Sequence, residues 1–226
     1  MGRVEKIAEL FKFQGTLTES EVCSIGHIND TYILTYELPD GSSKRYILQR
    51  INANVFKNPH EVMENIAAVT THLRKKITAE GGDPERETLN LVPTRDDKLY
   101  YAGDDEFWRA YHYIEGARTY ETVQNPKHFY HAGRAFGRFQ LLLRDFPAER
   151  LYDTIPDFHN TVKRLNDFRQ AVAADALGRL ADVQSEVDFV LQRADDTKIV
   201  VDAIARGEIP LRVTHNDTKF NNIMID

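Results

Sequence analysis

One cysteine, Cys23, is all that the 226 residues contain. This excludes an internal disulfide framework and a cysteine-based zinc site, and it fits a reducing compartment. Nor does any stretch approach the roughly 18 apolar residues of a membrane span. The first residues, Met1, Gly2, Arg3, Val4, Glu5 and Lys6, lack the apolar core of a signal peptide and the Ser/Thr of a myristoylation motif. Basic excess is missing too. The net charge of -6 argues against a nucleic-acid partner, although it leaves room for a small phosphate ligand held by local charge and backbone N–H groups. Low-complexity segments and internal repeats are absent. With 42% hydrophobic and 10% aromatic residues, the chain reads as folded, with a cytoplasmic location and no membrane or nucleic-acid partner expected.

In chain order, residues 4–13 carry Val4, Ile7, Ala8 and Phe11 at helical spacing. Residues 21–38 read as strand, tight loop and strand, and Pro39, Asp40, Gly41 and Ser42 as a turn. Arg45, Tyr46, Ile47, Leu48, Gln49, Arg50 and Ile51 read as a third strand. The loop between the first two strands has a single glycine, Gly26, so it is no G-x-G-x-x-G. It fits either a nucleotide lid or a plain meander. Residues 59–76 predict a helix with Val62, Ile66, Val69 and Leu73 on its buried face. Its Glu61 and Glu64 read as solvated first-turn acids or, alternatively, as an acid orienting a phosphate-binding cation. Strands are expected over residues 89–93, 98–101 and 107–114, and Glu115, Gly116, Ala117 and Arg118 read as a hinge.

Beyond the hinge the pattern turns helical. Asn125 and Pro126 form a cap-and-start signal for a helix carrying Phe129, Ala132, Gly133, Phe136, Phe139, Gln140 and Leu143 on one face. Ile155, Pro156 and Asp157 are expected to open a second helix. Val183, Val187, Val190 and Leu191 mark a third, and Ile199 to Ile204 a fourth, closed by Gly207. Residues 209–213 are then expected to lead as a short strand into a polar loop. The expectation is an α+β chain of two parts, a β-rich lobe over residues 1–114 and a helical lobe over 115–226, with a ligand cleft at their junction.

The polar loop runs His215, Asn216, Asp217, Thr218, Lys219, Phe220, Asn221, Asn222, an H-x-D-x4-N spacing. Phosphoryl transfer needs such an order. A carboxylate, Asp217, accepts the proton of an attacking hydroxyl, and an amide five residues on, Asn222, turns back to offer a neutral oxygen to Mg2+. His215 is expected to brace the loop. Lys219 either neutralises transferring phosphate or faces solvent. The plainer reading is a turn rich in turn-forming residues.

With these residues in view, the chain resembles the aminoglycoside phosphotransferase/choline kinase family, and within it the N-acetylhexosamine 1-kinase group. The likeness is carried by residues 26–32, 45–49, 135–140 and 158–161, and above all by residues 211–222. The resemblance implies a protein-kinase-like fold of antiparallel-sheet and helical lobes. It also implies ATP and Mg2+ as cofactors, and transfer of phosphate to the anomeric hydroxyl of a small acetamido sugar, N-acetylglucosamine or N-acetylgalactosamine. By position, Asp217 is the implied base, with His215 and Lys219 beside it, and Asn222 the metal ligand. The turn with Gly26, His27, Asn29 and Thr31 is the implied phosphate lid, and the backbone from His112 to Ile114 the implied adenine-contacting hinge.

Two departures stand out. Where the third strand of such a fold places a Lys or Arg against the phosphates, this chain has Gln49, with Arg50 on the opposite face; only one of the two can face the nucleotide. The sequence also stops at Asp226, before a second acidic metal ligand, so an incomplete helical lobe is expected. The alternatives are a kinase of another hydroxyl acceptor (an aminoglycoside, choline or homoserine) and a catalytically silent nucleotide binder. A sulfatase would need a C/S-x-P-x-R setting, which the residues around Cys23 do not provide.

Overall fold

The computed structural model describes residues 2–24 and 28–226. Six strands form one antiparallel sheet: β1 (Thr16–Cys23), β2 (Asp30–Glu37), β3 (Ser43–Arg50), β4 (Leu91–Val92), β5 (Tyr101–Gly103) and β6 (Glu106–His112). Their order is β1-β2-β3-β6-β4, with β5 folded back on β6. The turn after β2 is set by Asp40, whose carboxylate accepts the Ser42 N–H at 3.0 Å and its hydroxyl at 2.6 Å, and by Gly41 at φ 80°.

Strand alternation sorts the side chains onto two faces. On one, Leu34, Tyr36, Tyr46, Leu48, Val92, Trp108 and Ala110 are buried together with Ala8 and Phe11. The Phe13 ring lies 4.6 Å from that of Tyr46. This aromatic-rich layer is the main core. The other face carries Thr31, Gln49 and Arg109 directly across from one another, then Ile33, Ile47 and Tyr111.

Helix α1 (Arg3–Ala8) is shorter than the expected residues 4–13. Beyond it the chain runs along the sheet margin. Lys12 N–H donates to Pro93 O at 2.9 Å, and Arg95 N–H to Leu10 O at 2.8 Å, so pairing to another segment displaces a further helical turn. Helix α2 (Pro59–Ala79) starts at a cap formed by Asn58 and extends past the expected end. Its buried side is Val62, Met63, Leu73 and Ile77, while Ile66 and Val69 are half-buried. A short α3 (Pro84–Glu87), capped by Asp83, follows. Helix α4 (Pro126–Leu142) begins where expected, with the Asn125 side chain accepting the Lys127 N–H at 2.9 Å. Leu142, Leu143 and Phe146 join Leu73 and Ile77 in a second core. The expected α4 stripe is only partly covered, since Phe129 is 60% exposed.

The expected strands over 89–93, 98–101 and 107–114 shrink or shift to β4, β5 and β6. Residues 209–213 form no strand, and only an isolated bridge between Arg118 and Ile225 flanks the polar loop.

By compactness the chain divides into Met1–Thr154 with Arg212–Asp226, and Ile155–Leu211. The expected lobes, 1–114 and 115–226, follow instead the change of element type: every described strand precedes residue 114. Within the second unit lie α5 (Thr161–Ala174), α6 (Gln184–Leu191) and α7 (Ile199–Ala205). Helix α5 opens at Asn160, whose side chain accepts the Lys163 N–H at 3.1 Å, and not at 155–157. Asp157 there sits at φ 58°, a left-handed turn that a helix does not admit. Gly207, at φ 74°, closes α7 as expected, donating its N–H to Ile204 O at 2.9 Å.

Candidate active site

The polar loop is held by its own short-range bonds. Asn216 takes φ 62°, and its side chain accepts from the Thr214 hydroxyl. Phe220–Asn222 makes a single 3-10 turn. That turn carries Asn222 back to Asp217: its Nδ2 donates to the Asp217 carbonyl at 2.8 Å and to the Asp217 carboxylate at 2.8 Å. With the amide nitrogen so committed, Oδ1 is the remaining side-chain acceptor of Asn222. Lys219 Nζ lies 3.3 Å from the same carboxylate. The Asn222 donor, with Lys219 and His215 adding to it, holds the exposed Asp217 carboxyl below its ordinary range.

His215 packs edge-on to Phe136 and Phe139 of α4, with ring centroids 5.3 and 5.9 Å apart. The loop's exit is tied down more widely. Arg118 and Ile225 exchange two backbone bonds of 2.9 Å. Asn221 donates to Glu121 at 3.0 Å, and Arg86 pairs with Asp226.

The hinge segment is fixed by side chains that the sequence pattern did not single out. Arg45 forms an ion pair with Glu115, and its guanidinium lies 4.0 Å from the centre of the Tyr113 ring. Arg86 donates to Glu115 O at 2.8 Å. The His112 N–H is used by Asn90 O at 3.0 Å and the Tyr113 N–H by Arg45 O at 3.2 Å. The Ile114 N–H and carbonyl have no backbone partner among the described residues. The His112 ring turns to the core face, beside Tyr46, and burial pushes its pKa down.

On the other side of the sheet from that ring lies Gln49. It shares a face with Thr31, whose hydroxyl accepts from Gln49 Nε2 at 2.8 Å. Arg50 points to the opposite face and is consumed by Asp30 at 2.7 Å and Glu106 at 2.8 Å. Asn29 accepts the Asn52 N–H at 2.9 Å and so braces the turn from below. Gly26 and His27 lie outside the described residues. Glu61 and Glu64 pair with neither Gln49 nor Arg109 among the described residues.

A hollow of about 1080 Å³ collects Ile114, His215 and Asn222 from the expected site, together with Arg86, Arg134 and Phe136. Asp217, Lys219, Thr31 and Gln49 are not in its wall. Among the described residues no three His, Cys, Asp or Glu side chains converge on a metal-sized site. The hard, neutral Asn222 Oδ1, on the same loop as the Asp217 carboxylate, fits a Mg2+ that keeps most of its shell as water and phosphate oxygen.

The sequence matches the phosphotransferase enzyme family over residues 20–226. The chain belongs to that family. Among the solved structures similar to it are these three. An aminoglycoside phosphotransferase from Alicyclobacillus acidocaldarius is 15% identical, with 75% of this chain and 42% of that one covered and a TM-score of 0.48. A spectinomycin phosphotransferase in complex with ADP and spectinomycin is 13% identical, with 100% and 66% covered and a TM-score of 0.52. An amicoumacin kinase in complex with AMP-PNP, Ca2+ and Ami is 15% identical, with 82% and 52% covered and a TM-score of 0.47. This chain thus spans less than two thirds of each. The likeness to the spectinomycin enzyme is one of fold: an antiparallel sheet followed by helices, the protein-kinase-like arrangement of these phosphotransferases.

Proposed function

We propose that this phosphotransferase-family chain carries the nucleotide and catalytic-loop portion of an ATP-dependent small-molecule kinase. The observation that supports this most is the hydrogen bond from Asn222 to Asp217, which fixes one carboxylate and one amide on the same tethered loop. In this reading the acceptor hydroxyl oxygen attacks the γ-phosphorus of ATP, and the bond to the β,γ-bridging oxygen breaks. ADP leaves, and the hydroxyl proton passes to an Asp217 oxygen. Asp217 is kept ionised for this by Asn222 and Lys219. Lys219 also offsets negative charge on the phosphoryl group in flight. Asn222 Oδ1 would hold Mg2+, which when bound supplies charge neutralisation at the phosphates. His215 holds the loop to α4. The turn with Gly26, His27, Asn29 and Thr31 covers the phosphates, Gln49 lies at their edge of the sheet, and the backbone from His112 to Ile114 offers the adenine its free donor and acceptor.

For the acceptor, the resemblance to the N-acetylhexosamine 1-kinase group implies the anomeric hydroxyl of N-acetylglucosamine or N-acetylgalactosamine. An aminoglycoside-type acceptor is the second reading, favoured by the phosphotransferase family match. The test is nucleotide consumption with product identification, using ATP, Mg2+ and a panel of both acetamido sugars, galactose, choline and an aminoglycoside. It is run on this chain and on a C-terminally extended version. A sugar 1-phosphate that disappears in Asp217→Asn supports the reading. Phosphate on an antibiotic hydroxyl moves the acceptor to the second reading, and no turnover of any acceptor by either chain removes the kinase assignment.

A further inference from the structure

Arg109 on β6 is a half-buried guanidinium with an unusual set of neighbours. Its Nε and Nη2 both donate to one neutral oxygen, Gln49 Oε1, at 2.9 and 2.6 Å. No carboxylate pairs with it among the described residues. Gln49 is held from the far side by Thr31, so the three side chains form a chain straight across β2, β3 and β6. Thr31 is the second residue of β2, next to where the chain re-enters the sheet after the β1–β2 turn, and lies opposite Cys23. The cation is therefore wired to the exit of that turn.

A charge taken out of water without a counter-ion is costly, and a single amide oxygen does not repay that cost. Arg45, Arg50, Arg74, Arg86 and Arg138 of this unit each meet a carboxylate, and Arg95, Arg118, Arg134, Arg144 and Arg150 are exposed to water. Burial lowers the Arg109 pKa, yet an arginine stays charged under any folding condition. The planar fork suits two oxygens of a phosphate, and Gln49 occupies only one side of it.

We infer that Arg109 supplies the cation that meets the phosphate chain of the bound nucleotide, with Gln49 as the positioning residue that aims it. This rests on the phosphotransferase reading of the same site. The strand position next to the turn is filled by a neutral amide because the charge is delivered from the neighbouring strand.

The test compares affinities for ATP and for adenosine, by calorimetry, in the unaltered chain, Arg109→Gln and the double variant Gln49→Lys/Arg109→Gln. Loss of a charge-assisted contact predicts about tenfold or more weaker ATP binding in Arg109→Gln, with adenosine unaffected. The double variant, which moves the cation to β3, regains part of the loss. If Arg109→Gln does not melt cooperatively, Arg109→Lys is read instead, with ATP weakened severalfold and adenosine unchanged. Equal ATP affinity in all forms, or a parallel fall for ATP and adenosine, overturns the role of Arg109 and leaves the kinase reading standing. No nucleotide binding by the unaltered chain overturns both.

Discussion

Asn222 Nδ2 stands 2.8 Å from the carbonyl and 2.8 Å from the carboxylate of Asp217, five residues earlier. One amide thus closes the loop and sets the acid's charge state. Because the donors favour the ionised form, the Asp217 pKa lies below its ordinary value in the fold. Removing the amide donor, as in Asn222→Ala, moves the Asp217 pKa upward. Lys219→Ala moves it the same way. Carbon-detected NMR titration of the carboxyl reads this without any turnover, and an unshifted midpoint in both variants would contradict it.

Glu106 gathers the positive and donor groups at the start of β6. Burial alone would raise its pKa, but hydrogen bonds from Arg50 at 2.8 Å and Trp108 Nε1 at 3.0 Å, with the charges of Arg3 and Arg50, hold it lower. A carboxyl with a depressed folded-state pKa adds stability above its unfolded value, and that stability is lost as pH falls through the folded one. Glu106→Gln should therefore cost about 1–2 kcal/mol at neutral pH and flatten the acid side of the stability curve. Urea unfolding at a series of pH values tests this.

Tyr46 is fully buried, and its hydroxyl accepts the Gln14 N–H at 3.2 Å. Tyr46→Phe keeps the ring contacts with Phe13 and Tyr36 and removes that acceptor, so a loss of about 1 kcal/mol is expected. Trp108→Ala, which empties the centre of the same layer, should lose about 3–5 kcal/mol. Similar midpoints for the two variants in denaturant titrations would rule out this account of the core.

Asn125 begins α4, the helix on which His215 rests. Asn125→Ala removes the cap and should lower stability by about 1 kcal/mol. Asn125→Asp, which keeps the acceptor, should be near neutral. His215→Ala, which removes two edge-on ring contacts at an exposed position, should cost about 1 kcal/mol or less while loosening the loop. Amide exchange at residues 214–222 would then rise before the global midpoint changes.

Much of this was legible in the sequence because it rests on local rules. Asn125 with Pro126, Gly207, and the turn at Asp40 and Gly41 each act within a few residues, and each is found where the pattern puts it. The ends of elements were less legible. Helix α1 stops early because residues 10–12 pair with residues 93–95, and α5 starts late because Asp157 takes a left-handed turn. Both depend on partners or conformations that periodicity does not encode. Arg109 was missed for the same reason. Its signal was present, a charge between Phe107 and Tyr111 on one face of β6, but its meaning comes from Gln49 on a strand 60 positions away. The Ile114 edge of the hinge was named by resemblance; the ion pair of Arg45 and Glu115 that steadies it was not.

The ties at the loop's exit bear on the order in which the protein assembles. Glu121 and Asn221 lie 100 positions apart, and Arg86 and Asp226 lie 140 apart. Contacts of such separation carry the largest loop-closure entropy and are made late on a folding pathway. The sheet hairpins close through neighbours, so a ribosome-bound chain could complete them while the Asp217 loop is still unsynthesised. The loop would then set after the sheet, upon a surface already formed by residues 86 to 121. Substitutions at Arg86 or Glu121 should accordingly quicken unfolding far more than they slow folding.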